Sequence, residues 1–91
     1  MANYSYPIDE DWTHEELAKV ITFLNLVEEA NEASVDKEKF MVGYKEFKTV
    51  IKSIGEEKRL GREFEQISGY SLYRTVQQAK ATETKRFKME N

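Results

Sequence analysis

The chain has 91 residues, a net charge of −3, one histidine and no cysteine, which leaves room for one hydrophobic core and excludes a disulfide framework. It contains no run of about 20 apolar residues of the kind that spans a membrane. The first residues lack the basic and apolar segments of a signal peptide, so we expect a cytoplasmic protein.

Residues 1–12 are predicted to form an extended N-terminal arm. Tyr4 and Tyr6 alternate ahead of Pro7, so both side chains can point to the same side of an extended backbone. We expect the arm to lie across the helices and cover the edge of the core, with a recognition role as the alternative.

A first helix is predicted from Thr13 to about Ala33. Thr13 and Glu16 have the spacing of a capping box, and Trp12 and Leu17 have the spacing of a hydrophobic staple. Apolar residues recur at steps of three and four and form a broad stripe. This breadth predicts contact with two neighbouring helices.

Charged residues at the first connection are unfavourably placed for isolated helices. Glu28, Glu29 and Glu32 lie near the C-terminal end of the first helix, and Lys37 and Lys39 lie at the start of the second. The helix macrodipole disfavours both arrangements. We predict an antiparallel hairpin in which these opposite charges meet across the loop.

A second helix is predicted to begin after Asp36, a favourable N-cap residue. Its apolar face is predicted to comprise Phe40, Tyr44, Phe47, Ile51 and Ile54. Its lysines on the other side form the pattern of a solvated face: Lys45, Lys48 and Lys52. Two endings are compatible with the sequence, because Gly55 can terminate this helix or Ser53 and Glu56 can open the next one.

A third helix is predicted to run to about Ile67, with Leu60, Phe64 and Ile67 towards the core. Gly61 lies within it and costs about 1 kcal/mol relative to alanine, so another segment can pass close by. After a break at residues 68–71, Ser68 can cap a fourth helix. That helix is predicted to end near Thr82 and to turn three residues inward: Leu72, Val76 and Ala79. Residues 83–91 are predicted to be a frayed tail.

The sequence predicts no metal, no cofactor and no enzymatic activity. Acidic residues near the first helix suit the positive end of its macrodipole and lack the spacing of a calcium loop. His14 has no serine or cysteine nucleophile placed beside it by sequence, so an exposed structural histidine is expected. A hydrolase built from carboxylates distant in sequence is the alternative.

Charge is unevenly distributed along the chain. Residues 1–40 hold ten acidic residues and three lysines, whereas residues 41–91 hold eleven basic and seven acidic residues. We expect attraction between the two halves of one domain, since an acidic protein repels polyanions at long range. Binding of RNA or DNA by the basic C-terminal half is the alternative.

Tyr70, Tyr73 and Arg74 are the residues hardest to assign to packing. Tyr73 lies about 100° around the helix from Leu72, which faces the core, and tyrosine and arginine are enriched where proteins bind each other. A purely structural role is the alternative, with the tyrosines at the edge of the core and their hydroxyls in water. We predict that these three residues form a binding site for another protein.

Three stretches together resemble uncharacterised protein family 0223 of Bacillus-like bacteria. They are Tyr-Ser-Tyr-Pro-Ile-Asp-Glu-Asp-Trp at 4–12, Glu-Glu-Lys-Arg-Leu-Gly at 56–61 and Ser-Gly-Tyr-Ser-Leu-Tyr-Arg at 68–74. The resemblance implies an all-helical fold and a bacterial cytosol, and it carries over no functional residue.

The combined prediction is a single all-α domain, a compact array or bundle of about four helices, with residues 13–82 as its helical core. We expect a monomer or weak homodimer that binds another protein and no membrane.

Overall fold

The computed structural model describes residues 6–89, within which four helices and one short two-stranded ladder occur. The helices are α1 (His14–Glu32), α2 (Lys37–Val50), α3 (Ile54–Ser68) and α4 (Leu72–Ala81). The strands are β1 (Val35–Asp36) and β2 (Arg86–Phe87). The all-α class is therefore confirmed, with the ladder as a small addition. None of the helices in this part of the chain combines the length and apolar character needed to cross a bilayer.

Local capping determines where α1 and α2 begin. The Thr13 hydroxyl accepts a hydrogen bond from the Glu16 amide at 3.1 Å, and Glu16 Oε1 accepts one from the Thr13 amide at 2.9 Å. Asp36 Oδ1 accepts from the Lys39 amide at 2.9 Å. Both predicted starts are confirmed, because each cap satisfies amides that a helix leaves without partners.

The centre of the core is an aromatic cluster between α1 and α2. The Phe23 ring lies 5.2 Å from the ring of Phe40, 5.4 Å from that of Tyr44 and 4.7 Å from that of Phe47, measured between centroids. These separations are typical of favourable aromatic pairs. The predicted antiparallel hairpin therefore packs through apolar side chains of the two helices.

The predicted apolar face of the second helix is wrong at its end. α2 stops at Val50, Ile51 is its buried C-cap, and Ser53 caps α3 by accepting from the Glu56 amide at 3.0 Å. Ile54 therefore begins α3 and is 68% exposed. Of the two endings that the sequence allowed, the serine cap is the one observed.

The break between α3 and α4 is confirmed, but its cap is not Ser68. Gly69 ends α3 in the left-handed conformation with φ of 82°, and Ser71 caps α4 by accepting from the Arg74 amide. Ser68 belongs to the last turn of α3, where its hydroxyl donates to the Phe64 carbonyl. Ile67, predicted to face the core, is 38% exposed.

The prediction of a frayed tail over 83–91 is wrong for the strand residues and their neighbours. β2 pairs antiparallel with β1, with Val35 opposite Phe87. Phe87 is buried and packs edge-on against Phe40. The Met89 amide also donates to the Ala30 carbonyl at 2.8 Å. The remaining two residues of the tail lie outside the described part.

The arm covers the core through Tyr6. Its ring centroid lies 6.2 Å from that of Phe64, and its hydroxyl lies 2.6 Å from both Asn25 Oδ1 and Glu28 Oε2. This agrees with the expectation that the arm lies across the helices. Tyr4 falls outside the described residues.

The charges at the α1–α2 connection have other partners than the predicted ones. Lys37 Nζ donates to the Thr82 carbonyl at the end of α4, while Glu28 and Glu32 accept hydrogen bonds from Tyr6 and Tyr70. In place of the predicted pairing across the loop, Glu28 contacts the N-terminal arm, Glu32 contacts the turn before α4, and Lys37 contacts the end of α4.

Candidate functional site

A groove runs between α3 and α4 and has a volume of about 610 Å³. One row of residues lines it from each helix, and we call it the α3–α4 groove. The α3 row is Ile54, Lys58, Gly61, Arg62 and Glu65, and the α4 row is Leu72, Tyr73, Val76, Gln77 and Lys80. Residues spaced by three or four positions share one face of a helix, so two helical faces open into the same space.

The groove has an apolar floor and exposed apolar edges. Leu72 and Val76 form part of the floor and are each 3% exposed. Ile54 on one side and Tyr73 on the other are 68% and 71% exposed. Large apolar side chains that flank a concave surface in this way are typical of interaction sites.

Gly61 lies in the α3 row, opposite Leu72. A Cβ atom at this position would lie 3.7 Å from Leu72 Cβ, an ordinary van der Waals distance. Packing between α3 and α4 therefore leaves room for alanine here. The glycine removes side-chain volume from the groove wall at a cost in helix stability.

Polar groups at one side of the groove connect α2 with α3. The Tyr44 hydroxyl donates to Glu57 Oε2 at 3.1 Å, and Lys48 Nζ forms an ion pair with Glu57 Oε1. Burial and the Glu57 carboxylate raise the pKa of Tyr44 to about 12. Tyr44 therefore stays protonated at neutral pH and keeps donating to Glu57. Lys48, predicted to be solvated, is instead half-buried in this ion pair.

The remaining charged residues of the groove are mostly basic. The two rows contain three basic residues, which are Lys58, Arg62 and Lys80, and one acidic residue, Glu65. Lys80 Nζ also lies 5.8 Å from the centroid of the Tyr44 ring, within the range of a cation–π contact. The groove is thus a positively charged region on a chain with a net charge of −3.

The three residues predicted to bind a partner have different surroundings. Tyr73 lines the groove, as described above. Tyr70 is half-buried, packs against the core and donates from its hydroxyl to Glu32 Oε2 at 2.8 Å. Arg74 is exposed and does not line the groove; its amide is bonded to the Ser71 cap. Packing explains Tyr70, and Tyr73 is the member that faces a cavity.

A second cavity, of about 430 Å³, lies between the arm and α3. Its lining includes Asp9, Asp11 and Glu63, but Asp9 Oδ1 accepts from the Asp11 amide at 2.9 Å and so stabilises the turn before α1. Within residues 6–89, no three His, Cys, Asp or Glu side chains are grouped to hold a metal ion. His14 is exposed in the first turn of α1.

The sequence pattern of uncharacterised protein family UPF0223 matches residues 3–88. The chain belongs to this family. UPF0223 proteins of Enterococcus faecalis, Streptococcus gordonii and Streptococcus pneumoniae are 61%, 58% and 60% identical to it. The alignments cover 88%, 89% and 85% of this chain and 87%, 88% and 84% of those relatives. The UPF0223 pattern thus includes both helices of the α3–α4 groove.

Sequence reasoning placed Tyr73 at a surface site in this UPF0223 chain but missed the groove around it. Periodicity alone predicts Ile54 on the buried face of the second helix, and it predicts only a close internal contact at Gly61. The spacing of Ile54, Lys58 and Gly61 along one helical face was the available signal. These three residues share one face of α3 only if that helix begins at the Ser53 cap.

Proposed function

We propose that this UPF0223 chain is a non-enzymatic module of the bacterial cytosol that binds another protein in the α3–α4 groove. The exposure of Tyr73 beside a buried apolar floor carries the proposal. A tyrosine contributes a large, rigid contact area and a hydroxyl, and such residues concentrate the free energy of protein–protein association.

The chemistry of the groove supports binding more than catalysis. Ser71 accepts the Arg74 amide as the cap of α4, and the Tyr44 hydroxyl is donated to Glu57. Its two hydroxyl groups apart from Tyr73 thus have structural partners. The Ser71 oxygen is used by the cap of α4, and the raised pKa of Tyr44 keeps its hydroxyl protonated and weakly nucleophilic at neutral pH.

Site-specific photo-crosslinking in cells tests the proposal. A photoreactive phenylalanine is placed at Tyr73 in one variant and at Val42 in a control, since Val42 is also exposed, at 58%, and lies on α2 outside the groove. We expect a discrete protein adduct from position 73 that is absent from position 42. An excess of wild-type chain without the photoreactive group should compete for the partner and suppress the adduct. The same excess of the Tyr73→Ala chain should suppress it less.

Two outcomes would contradict the proposal. Identical adducts from positions 73 and 42 would mean that Tyr73 has no special role in binding. Adducts of position 73 with RNA in place of protein would favour the alternative of nucleic-acid binding by the basic half, which also predicts affinity that falls steeply with salt.

A further inference from the structure

We propose that the α3–α4 groove binds the apolar face of an acidic amphipathic helix contributed by the partner protein. This inference rests on the proposed function and adds the chemistry of the bound segment. It follows from the shape of the groove, from Gly61 and from the charges along its edges.

The two rows define an elongated site. From Ile54 to Glu65 the α3 row extends about 16 Å, and from Leu72 to Lys80 the α4 row extends about 12 Å, at about 1.5 Å per residue. A partner helix of about three turns matches these lengths. It would place apolar side chains at i, i+3 or i+4, and i+7 against the floor, as in other complexes of a helix in a groove.

Gly61 supports a close approach of that helix. The internal packing of α3 and α4 leaves ordinary space for a Cβ atom at this position, so the fold itself does not need the glycine. A residue without a side chain lets a second backbone approach a helix. Gly61 lies midway along the α3 row, where it would contact a helix bound along the groove.

The charges favour an acidic partner. Glu57 is neutralised by Lys48, which leaves Lys58, Arg62 and Lys80 against Glu65 in the two rows. Opposite charges around an apolar contact increase the association rate and select the partner and its orientation. The apolar floor favours the aliphatic side chains of a helix over nucleotides.

The test uses defined ligands with isotope-labelled wild-type protein. One synthetic helical peptide of about three turns carries leucines on one face and glutamates on the other, and a matched peptide has lysine at every glutamate. A short single-stranded RNA is the third ligand. Binding is followed by amide chemical shifts and by fluorescence anisotropy at low and high salt.

We expect the acidic peptide to perturb amides along both rows and to bind about tenfold more tightly than the basic peptide at low salt. Each charge–charge contact at an exposed site contributes only modestly, but several act together here. The difference should shrink at high salt, because exposed charges are screened. Arg62→Glu should abolish the preference, because it leaves two basic and two acidic side chains in the rows, and Arg74→Glu, outside the groove, should leave it unchanged.

Glycine variants test the close approach. Gly61→Leu should weaken the acidic peptide at least tenfold by filling the groove. Gly55→Leu is the matched control, because Gly55 belongs to the same helix, has no atom within 4 Å of an added Cβ and does not line the groove. Thermal melts of both variants verify that each remains folded. Equal affinities of the two variants would overturn the close approach.

The outcomes separate this inference from the proposed function. If the basic peptide binds as tightly as the acidic one, the inference that the partner is acidic is wrong, and the proposed protein binding is unaffected. If neither peptide changes the amide chemical shifts of the groove but position 73 still forms a protein adduct, only the inference of a helical partner is wrong. Groove shifts with RNA and with neither peptide overturn both proposals.

Discussion

Two tyrosine hydroxyls contact acidic side chains at the C-terminal part of α1. Tyr6 contacts Glu28 from the arm, and Tyr70 contacts Glu32 from the turn before α4. The macrodipole disfavours negative charge at this end of a helix. Hydroxyl donors from elsewhere in the chain offset that cost, so each tyrosine links a separate segment to α1.

Glu28 makes stability depend on pH. Burial raises the pKa of its carboxyl, the Tyr6 hydroxyl opposes this, and the neighbouring Glu32 raises it further. The folded state therefore binds the proton more tightly than the unfolded chain, and the ionised carboxylate opposes folding above its raised pKa. We expect Glu28→Gln to raise the melting temperature at pH 7, with the gain disappearing as the pH falls below 4.5, the ordinary value.

Thermal melts from pH 7 to below the ordinary glutamate pKa check this prediction. Glu29→Gln is the control for removing one negative charge from the same end of α1, since Glu29 is exposed. Equal gains from both substitutions would show that burial of Glu28 has no role.

The same substitution should have opposite effects at two glycines. Gly69→Ala should lower the free energy of unfolding by about 1 kcal/mol, because φ of 82° places a Cβ against the backbone. Gly55→Ala should raise it by roughly 0.5 kcal/mol, because Gly55 is helical and its surroundings are open. Urea denaturation of both variants measures the difference. A stabilised Gly69→Ala variant would contradict the left-handed ending of α3.

At the scale of elements, the short ladder joins the C-terminal segment to the α1–α2 connection. The Lys37 amide donates to the Lys85 carbonyl at 2.7 Å, and Lys37 Nζ donates to the Thr82 carbonyl. Phe87 adds an apolar contact with Phe40. β2 is thus part of the folded structure although it has only two residues.

Phe87→Ala should lower the free energy of unfolding by about 3 kcal/mol or more, since a buried phenylalanine leaves a cavity when truncated. Lys85→Ala, an exposed neighbour, should change it by less than about 0.5 kcal/mol. Chemical denaturation monitored by circular dichroism measures both. A Phe87→Ala variant as stable as wild type would indicate that the tail is frayed in solution.

At the scale of the whole molecule, the structure predicts an order of local opening. The aromatic cluster around Phe23 lies at the centre, whereas β2 is held by a few bonds at the edge. We expect native-state hydrogen exchange to be slowest for amides of α1 near Phe23 and faster for the amides of Lys37 and Met89, whose bonds hold the segment around β2. In Phe87→Ala the amides of Lys37 and Met89 should lose protection first. Uniform protection of all these amides would contradict this order.

The amino-acid sequence by itself determined the helical class and the starts of α1 and α2. The Thr13–Glu16 box and the Asp36 cap act within one turn, so their effect depends on neighbours in the chain. It also identified Tyr73 as a residue that packing does not explain. The surrounding groove could not be predicted, because its two rows belong to different helices.

Only the tertiary structure decided the positions of Ile54, Tyr70 and Phe87. The sequence allowed two boundaries near Ile54, and the folded chain buries Ile51 as the end of α2 and places Ile54 in α3 with its side chain exposed. Tyr70 and Phe87 are positioned by Glu32 and Val35, which are distant in sequence. Periodicity describes one helix at a time, whereas burial depends on which segments the folded chain brings together.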